Sequence, residues 1–226
     1  MQIIVENITK EYQKKRGVFS VSFAAEKGEC IAVVGHNGAG KSTLLRILSG
    51  WTIPDSGRAL VNGTEIDDRQ ALVRNVAFVP ETPGLFEYFS VEYNLRLYAS
   101  LFQTPTARVQ EILSEFELLP FRRSKMQTLS KGLKQRVNIG RSLLPDPPVI
   151  LLDEPTAGLD FEMTKEVYRQ LKNINASGKT IIFTSHRPEE IRALASRIIV
   201  LHQGRVVFDG LPGQYFESMV HQELYI

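Results

Sequence analysis

The chain has 226 residues, 43% of them hydrophobic and 23% charged, enough to bury one substantial core with a small attached subdomain. Its 27 basic and 25 acidic residues leave a formal net charge of +2, so there is no electrostatic case for a nucleic-acid partner. The single cysteine, Cys30, excludes an intrachain disulfide framework and a multi-cysteine zinc site, and no apolar stretch approaches the roughly 18 residues that span a bilayer. In chain order, Ile3 to Val5 and Val18 to Phe23 carry clustered or alternating apolar residues and predict strands. The basic run Lys14-Lys15-Arg16 between them reads as a solvated turn. Cys30 to Val34 is wholly apolar and predicts a buried strand, and Thr43 to Leu48 predicts a helix. Pro54 to Gly57 reads as a turn, Arg58 to Val61 as a strand entering a tight hairpin at Asn62-Gly63, and Val76 to Val79 as another short strand.

Helical spacing then runs from Val91 to about Phe121. Leu95, Tyr98, Leu101 and Phe102 share one face, Val109, Ile112, Leu113 and Phe116 another, and Pro105 divides the two helices. The spacing resumes at Leu133, Val137, Ile139 and Leu143 until Pro145-Asp146-Pro147-Pro148 ends it. Strands and helices alternate thereafter: Val149 to Leu152, a helix near Phe161 to Ala176, Thr180 to Thr184, a helix near Pro188 to Ala195, and Arg197 to Leu201. That alternation implies an α/β fold with a mainly parallel sheet covered by helices. Met1 to Glu6 lacks the basic-then-apolar character of a secretion signal, so a cytosolic chain is expected, able to dock on a membrane protein. The sequence stops soon after Tyr215-Phe216, and a large C-terminal regulatory domain is not expected.

The chemistry concentrates first in Gly35-His36-Asn37-Gly38-Ala39-Gly40-Lys41-Ser42, a complete P-loop between a predicted strand and a predicted helix. Its glycines let successive backbone N–H groups wrap a phosphate, and the new helix adds its positive end to the same spot. Lys41 can reach the β- and γ-phosphates, and the Ser42 hydroxyl is placed to ligate Mg²⁺. A nucleoside triphosphate is the expected ligand. The second element is Val149-Ile150-Leu151-Leu152-Asp153-Glu154, an apolar strand ending in paired carboxylates. Beside a P-loop, Asp153 can hold Mg²⁺ directly or through water, and Glu154 can orient or deprotonate an attacking water.

With these motifs in order, the chain resembles the nucleotide-binding subunit of ATP-binding cassette (ABC) transporters along nearly its whole length. Gly35 to Ser42, with Thr43 adjoining, matches Walker A, and Asp153-Glu154-Pro155-Thr156 matches Walker B with its catalytic glutamate. Tyr12 matches the aromatic residue that stacks on adenine, and Leu129-Ser130-Lys131-Gly132-Leu133 stands at the signature motif, followed by Gln135-Arg136. Ala157-Gly158-Leu159-Asp160 matches the D-loop, and His186 the switch histidine near the γ-phosphate. The resemblance implies a P-loop NTPase with a RecA-like core, an N-terminal antiparallel β subdomain and an inserted α-helical subdomain. Residues 1–80 and 145–226 would form the catalytic core with its β subdomain, and residues 81–144 the Q-loop region and helical signature subdomain.

It further implies ATP and Mg²⁺ as cofactors and a head-to-tail homodimer in which Ser130 and Gly132 of one copy face the γ-phosphate held by Lys41 of the other. A separate integral membrane permease would be the second partner, which would place the chain peripherally on the inner face of the cell membrane. Two departures mark the ABC-2 exporter branch: Ser130-Lys131-Gly132-Leu133 where Ser-Gly-Gly-Gln is usual, and Pro80-Glu81 where a glutamine normally helps ligate Mg²⁺. Glu81 can still serve the metal, with an added charge. Pro83 to Phe89 reads either as an apolar groove for a helix of a membrane partner or as Leu85, Phe86 and Phe89 packing beneath the helices. His202, His221 and Trp51 read as structural, and His36 as a variable P-loop position pointing away from the phosphates. A cytosolic, non-transport ABC ATPase of the iron–sulfur assembly type stays open as an alternative. A P-loop kinase or GTPase is disfavoured because no lid with an acceptor site and no guanine-reading Asn-Lys-x-Asp segment is found.

Overall fold

The computed structural model describes residues 1–13 and 16–220, so Lys14 and Lys15 of the basic turn and His221 lie outside the described residues. The elements in chain order are β1 (Ile3–Tyr12), β2 (Arg16–Ala25), β3 (Cys30–Val34), α1 (Lys41–Leu48), β4 (Ser56–Val61), β5 (Thr64–Glu65), α2 (Arg69–Leu72), β6 (Val76–Val79), α3 (Val91–Leu101) and α4 (Thr106–Glu115). There follow α5 (Lys131–Ser142), β7 (Val149–Leu152), α6 (Phe161–Ala176), β8 (Thr180–Ser185), α7 (Pro188–Leu194), β9 (Arg197–His202), β10 (Arg205–Gly210) and α8 (Pro212–Val220).

Two sheets form. β2-β1-β4-β5 is a four-stranded antiparallel sheet, and β10-β9-β3-β8-β7-β6 a six-stranded sheet that is parallel except for β10. Side-chain alternation along the central strands explains how the layers stack. Cys30, Ala32, Val34, Ile150, Leu152, Ile181, Phe183, Ile198 and Val200 face one core, which they share with residues of α3, α4, α5, α6 and α7. The intervening Ile31, Val33, Val149, Leu151, Ile182, Ile199 and Leu201 face a second core, filled by α1 and the four-stranded sheet. Leu44, Leu45, Ile47 and Leu48 of α1 are all fully buried there. At roughly 1.5–3 kcal/mol for each such side chain, their burial anchors the helix that follows the P-loop.

Helix starts follow their capping residues: Ser90, Ser130 and Asp160 accept backbone N–H bonds at the heads of α3, α5 and α6. The predicted break at Pro105 separates α3 from α4. The first strand runs well beyond the predicted Val5, because Asn7 takes a left-handed φ of 52° and the β1–β2 register shifts between Val5 and Ile8. The chain bulges and then resumes pairing as far as Tyr12 opposite Arg16. Ser56, predicted within a turn, already pairs with Thr9. Among the described residues no helix is long and apolar enough to cross a membrane.

Candidate functional site

Three strands of the six-stranded sheet end side by side. β8 lies between β3 and β7, with Val34 level with Ser185 and Leu152 level with Phe183. The segments leaving their C-terminal ends therefore converge: the P-loop after β3, Asp153-Glu154 after β7, and His186 after β8. The P-loop turns at Gly35, where a Cβ would collide with the Leu201 carbonyl, and enters α1 through Gly40 at φ 104°. A Cβ at Gly40 would sit 2.5 Å from the Gly17 carbonyl oxygen, so no larger residue fits this backbone. Gly40 caps α1 without a side-chain hydrogen bond, which leaves the first-turn N–H groups free to receive an anion. His36, Asn37 and Gly38 form the exposed crest of the loop, Ala39 and Gly40 its buried flank, and Thr43 is half-buried in the first turn. The His36 ring meets His202 edge-on at 5.4 Å, and its Nδ1 lies 2.8 Å from the Asn37 carbonyl oxygen.

Lys41 is 6% exposed, and its ammonium donates to the Gly35 and His36 carbonyl oxygens at 2.7 and 3.3 Å. It stands 4.0 Å from Glu154 Oε1. On the other side of that carboxylate, His186 Nδ1 lies 3.0 Å from Oε2. A carboxylate only accepts, so this contact requires the proton on Nδ1. Glu154 adopts a left-handed φ of 48°, and its N–H donates to Thr184 Oγ1 at 2.8 Å. Asp153, 4% exposed, accepts at Oδ1 from Ser42 Oγ at 2.9 Å and Thr184 Oγ1 at 2.7 Å. Thr184 thus ties the two carboxylate positions to the strand that carries His186. Sequence reasoning passed over Thr184, an ordinary residue inside a strand pattern.

Lys41 and Ser42, with the rest of the loop from Gly35 to Thr43, are brought together with Asp153, Glu154 and His186; among the described residues, no hydrogen bond or ion pair joins Tyr12, Ser130, Gly132 or Asp160 to this cluster. Glu81, exposed after β6, lines a cavity of about 810 Å³ together with Ser42 and Asp153. Tyr12 is 42% exposed near the end of β1, and Asp160 caps α6 by accepting from Met163 N at 2.8 Å. Ser130 is exposed and accepts from Leu133 N at 3.3 Å, while Gly132 is buried where a Cβ would come within 2.5 Å of Met163 Sδ. Among the described residues, no hydrogen bond or ion pair joins Ser130 or Gly132 to Gly35–Ser42. Lys131 reaches toward Gly158, and Leu133 packs its side chain against the helical-side core.

The loop from Pro83 to Phe89 divides: Leu85 is buried, whereas Phe86 and Phe89 stay 45% and 46% exposed beside Tyr88 and Tyr93. Arg141 pins this loop by donating to the Gly84 carbonyl at 2.9 Å and lying 4.5 Å over the Tyr98 ring. Its burial lowers the guanidinium pKa from the usual value. The groups that would meet a cation here, Ser42 Oγ and Asp153 Oδ1, are oxygens, as suits a hard divalent cation such as Mg²⁺. Among the described residues no group of three or more His, Cys, Asp or Glu could cage a metal, so a cation here would draw further ligands from phosphate and water.

A family described as "ABC transporter" matches residues 18–157. The chain belongs to that family. It is similar to the Nod factor export ATP-binding protein I of Rhizobium etli, 35% identical over 225 residues, 96% of this chain and 71% of that protein. Among solved structures it is similar to cbiO1 of Clostridium perfringens, part of the ABC transporter complex cbiONQ, with a TM-score of 0.85, 28% identity, and 98% and 93% of the two chains covered. A dimeric ATP-binding cassette in a post-hydrolysis state bound to ADP and Pi superposes with a TM-score of 0.82 at 28% identity, covering 93% of this chain and 98% of that one. This ABC transporter chain is accordingly the ATP-binding and ATP-hydrolysing subunit, built on the P-loop NTPase fold.

Proposed function

We propose that two copies of this subunit close head to tail over two ATP molecules and thereby drive an exporter through separate membrane permease subunits at the inner face of the membrane. The observation that carries the site assignment is the contact chain Lys41–Glu154–His186 beside Ser42–Asp153, all at the ends of adjacent parallel strands. The backbone from Gly35 to Thr43, with the Lys41 ammonium, binds the phosphates, and Tyr12 stacks on the adenine. Ser42 and Asp153, with Glu81 on the facing wall, hold Mg²⁺, which when bound neutralises phosphate charge. Glu154 orients the attacking water and accepts its proton, and His186 fixes the carboxylate through Nδ1–H; with a second proton on the ring, its Nε2–H would donate to a γ-phosphate oxygen.

The same chain contains an anion-seeking helix start at Ser130–Gly132 that makes no bond to its own P-loop, and Asp160 stands on the loop leading from β7 into α6. A two-fold pair lets Ser130 and Gly132 of one copy complete the phosphate shell of the other, with Asp160 between them. Export is favoured over the iron–sulfur assembly alternative by the Nod factor export relative. The grooved wall lined by Trp51, Phe78, Tyr98 and Phe102 is the surface for the permease. Ser130→Arg tests the shared site. Steady-state ATPase is expected to fall at least about tenfold, while the single-chain Kd for a fluorescent ATP analogue changes by less than about twofold. Equal losses in both would place Ser130 at its own chain's nucleotide.

A further inference from the structure

Glu190 lies on α7, four residues beyond His186, and is 0% exposed. Burial pushes its carboxyl above the ordinary carboxylate range, so the group is kept here against a desolvation cost. Its two oxygens hold two different segments. Oε2 accepts from Ser185 Oγ at 2.6 Å, the residue before His186, and Oε1 accepts from Thr156 Oγ1 at 2.8 Å, two residues after Glu154. Arg187 closes the ring: its backbone N–H donates to Ser185 Oγ at 3.0 Å, and its Nη1 to Thr156 Oγ1 at 3.2 Å. Ser185 and Thr156 are themselves 0% exposed.

Helix α7 does not need this carboxylate for its own sake. Glu189, also in the first turn, is exposed and complements the helix N-terminus equally well. What Glu190 adds, beside the bonds of Thr184 and of the Arg187 side chain, is a buried carboxylate that accepts from both the end of β8 and the turn after β7. From each clamped hydroxyl the backbone runs one or two residues to His186 and Glu154, whose side chains meet at 3.0 Å.

We propose that Glu190 is a positioning residue for hydrolysis, fixing the backbone that carries His186 against the backbone that carries Glu154. The proposal rests on the assignment of Glu154 and His186 made above. A misplacement of these groups by about an ångström costs turnover without touching the phosphate cradle.

Two variants test the clamp. Glu190→Asp shortens its reach by one methylene, and Glu190→Gln keeps its volume but loses one accepting oxygen. Both are expected to lower kcat on the order of ten- to a hundredfold while the Kd for ATP stays within about twofold. Thr156→Val and Ser185→Ala each remove one strut and carry the test if the Glu190 variants do not fold. A double-mutant cycle then separates positioning from mere stability. In single-turnover hydrolysis, Thr156→Val should slow a His186→Ala background by much less than it slows the native chain. An equal fold-loss in both backgrounds overturns the proposal, as does native kcat in Glu190→Gln or a loss of ATP affinity in step with kcat. Glu154→Gln and His186→Ala run alongside as controls. Native turnover in those two would overturn the underlying assignment, whereas their failure beside a fully active Glu190→Gln removes the positioning role alone.

Discussion

The strand ends around Lys41 and the start of α5 around Ser130 are both anion-seeking, yet they are built in opposite ways. At the strand ends, Lys41 and Asp153 are buried; Lys41 is held by the Gly35 carbonyl of its own loop, and the other groups are held across segments, Ser42 and Thr184 by Asp153 and His186 by Glu154. Ser130 is exposed, and its hydroxyl bonds only within its own helix turn, at Leu133 N. The first region is pre-organised to bind phosphate within one chain. The second keeps its first N–H groups clear of its own P-loop, as the proposed shared site requires. In the proposed two-fold pair, this helix start would complete the phosphate shell of the other copy.

The largest way to break this comparison is at the strand ends. Lys41→Ala removes the buried ammonium that is bonded to the loop carbonyls of Gly35 and His36. ATP affinity is expected to fall at least about a hundredfold by equilibrium titration, in keeping with the loss of a buried charge-assisted contact. Unchanged affinity would mean that the P-loop backbone and helix start suffice. A smaller effect is expected at Tyr12, which is exposed at the end of β1 with the Lys10 ammonium 5.9 Å from its ring centroid. Tyr12→Ala should weaken ATP binding about fivefold to tenfold, consistent with one lost stacking contact, and weaken inorganic triphosphate binding not at all. Equal weakening for both ligands would move Tyr12 from the base to the phosphates.

Much of this architecture was legible because it is periodic or local. Cys30 to Val34 and Val149 to Leu152 are short unbroken apolar runs bounded by turn residues, the pattern of interior parallel strands, and the glycines of the P-loop sit within one short stretch. Asp153 and Glu154 stand out by their place at the end of an apolar strand and His186 by the family resemblance, and β8, which leads to His186, pairs with β7. The length of β1 was hidden by Asn7, whose left-handed backbone breaks the alternation between Val5 and Ile8. β10 was missed because it is a half-buried edge strand, with Arg205 and Asp209 among its residues blurring the apolar signal. Thr184, Thr156 and Glu190 were missed for a different reason. Each has a polar partner some thirty positions away, Thr184 to Asp153 across 31 residues and Thr156 to Glu190 across 34. Only the folded chain brings them into reach. In the loop at Pro83 to Phe89 both sequence readings hold in part, since Leu85 packs inward while Phe86 and Phe89 remain outside.

The most direct measurement is the mass in solution of Glu154→Gln loaded with Mg²⁺ and ATP, by sedimentation velocity. With hydrolysis blocked, two chains holding two nucleotides are expected to persist as one species, and to separate when ADP replaces ATP. A nucleotide-saturated Glu154→Gln chain that stays single at micromolar concentrations, alone and with its membrane partner, would contradict the shared site.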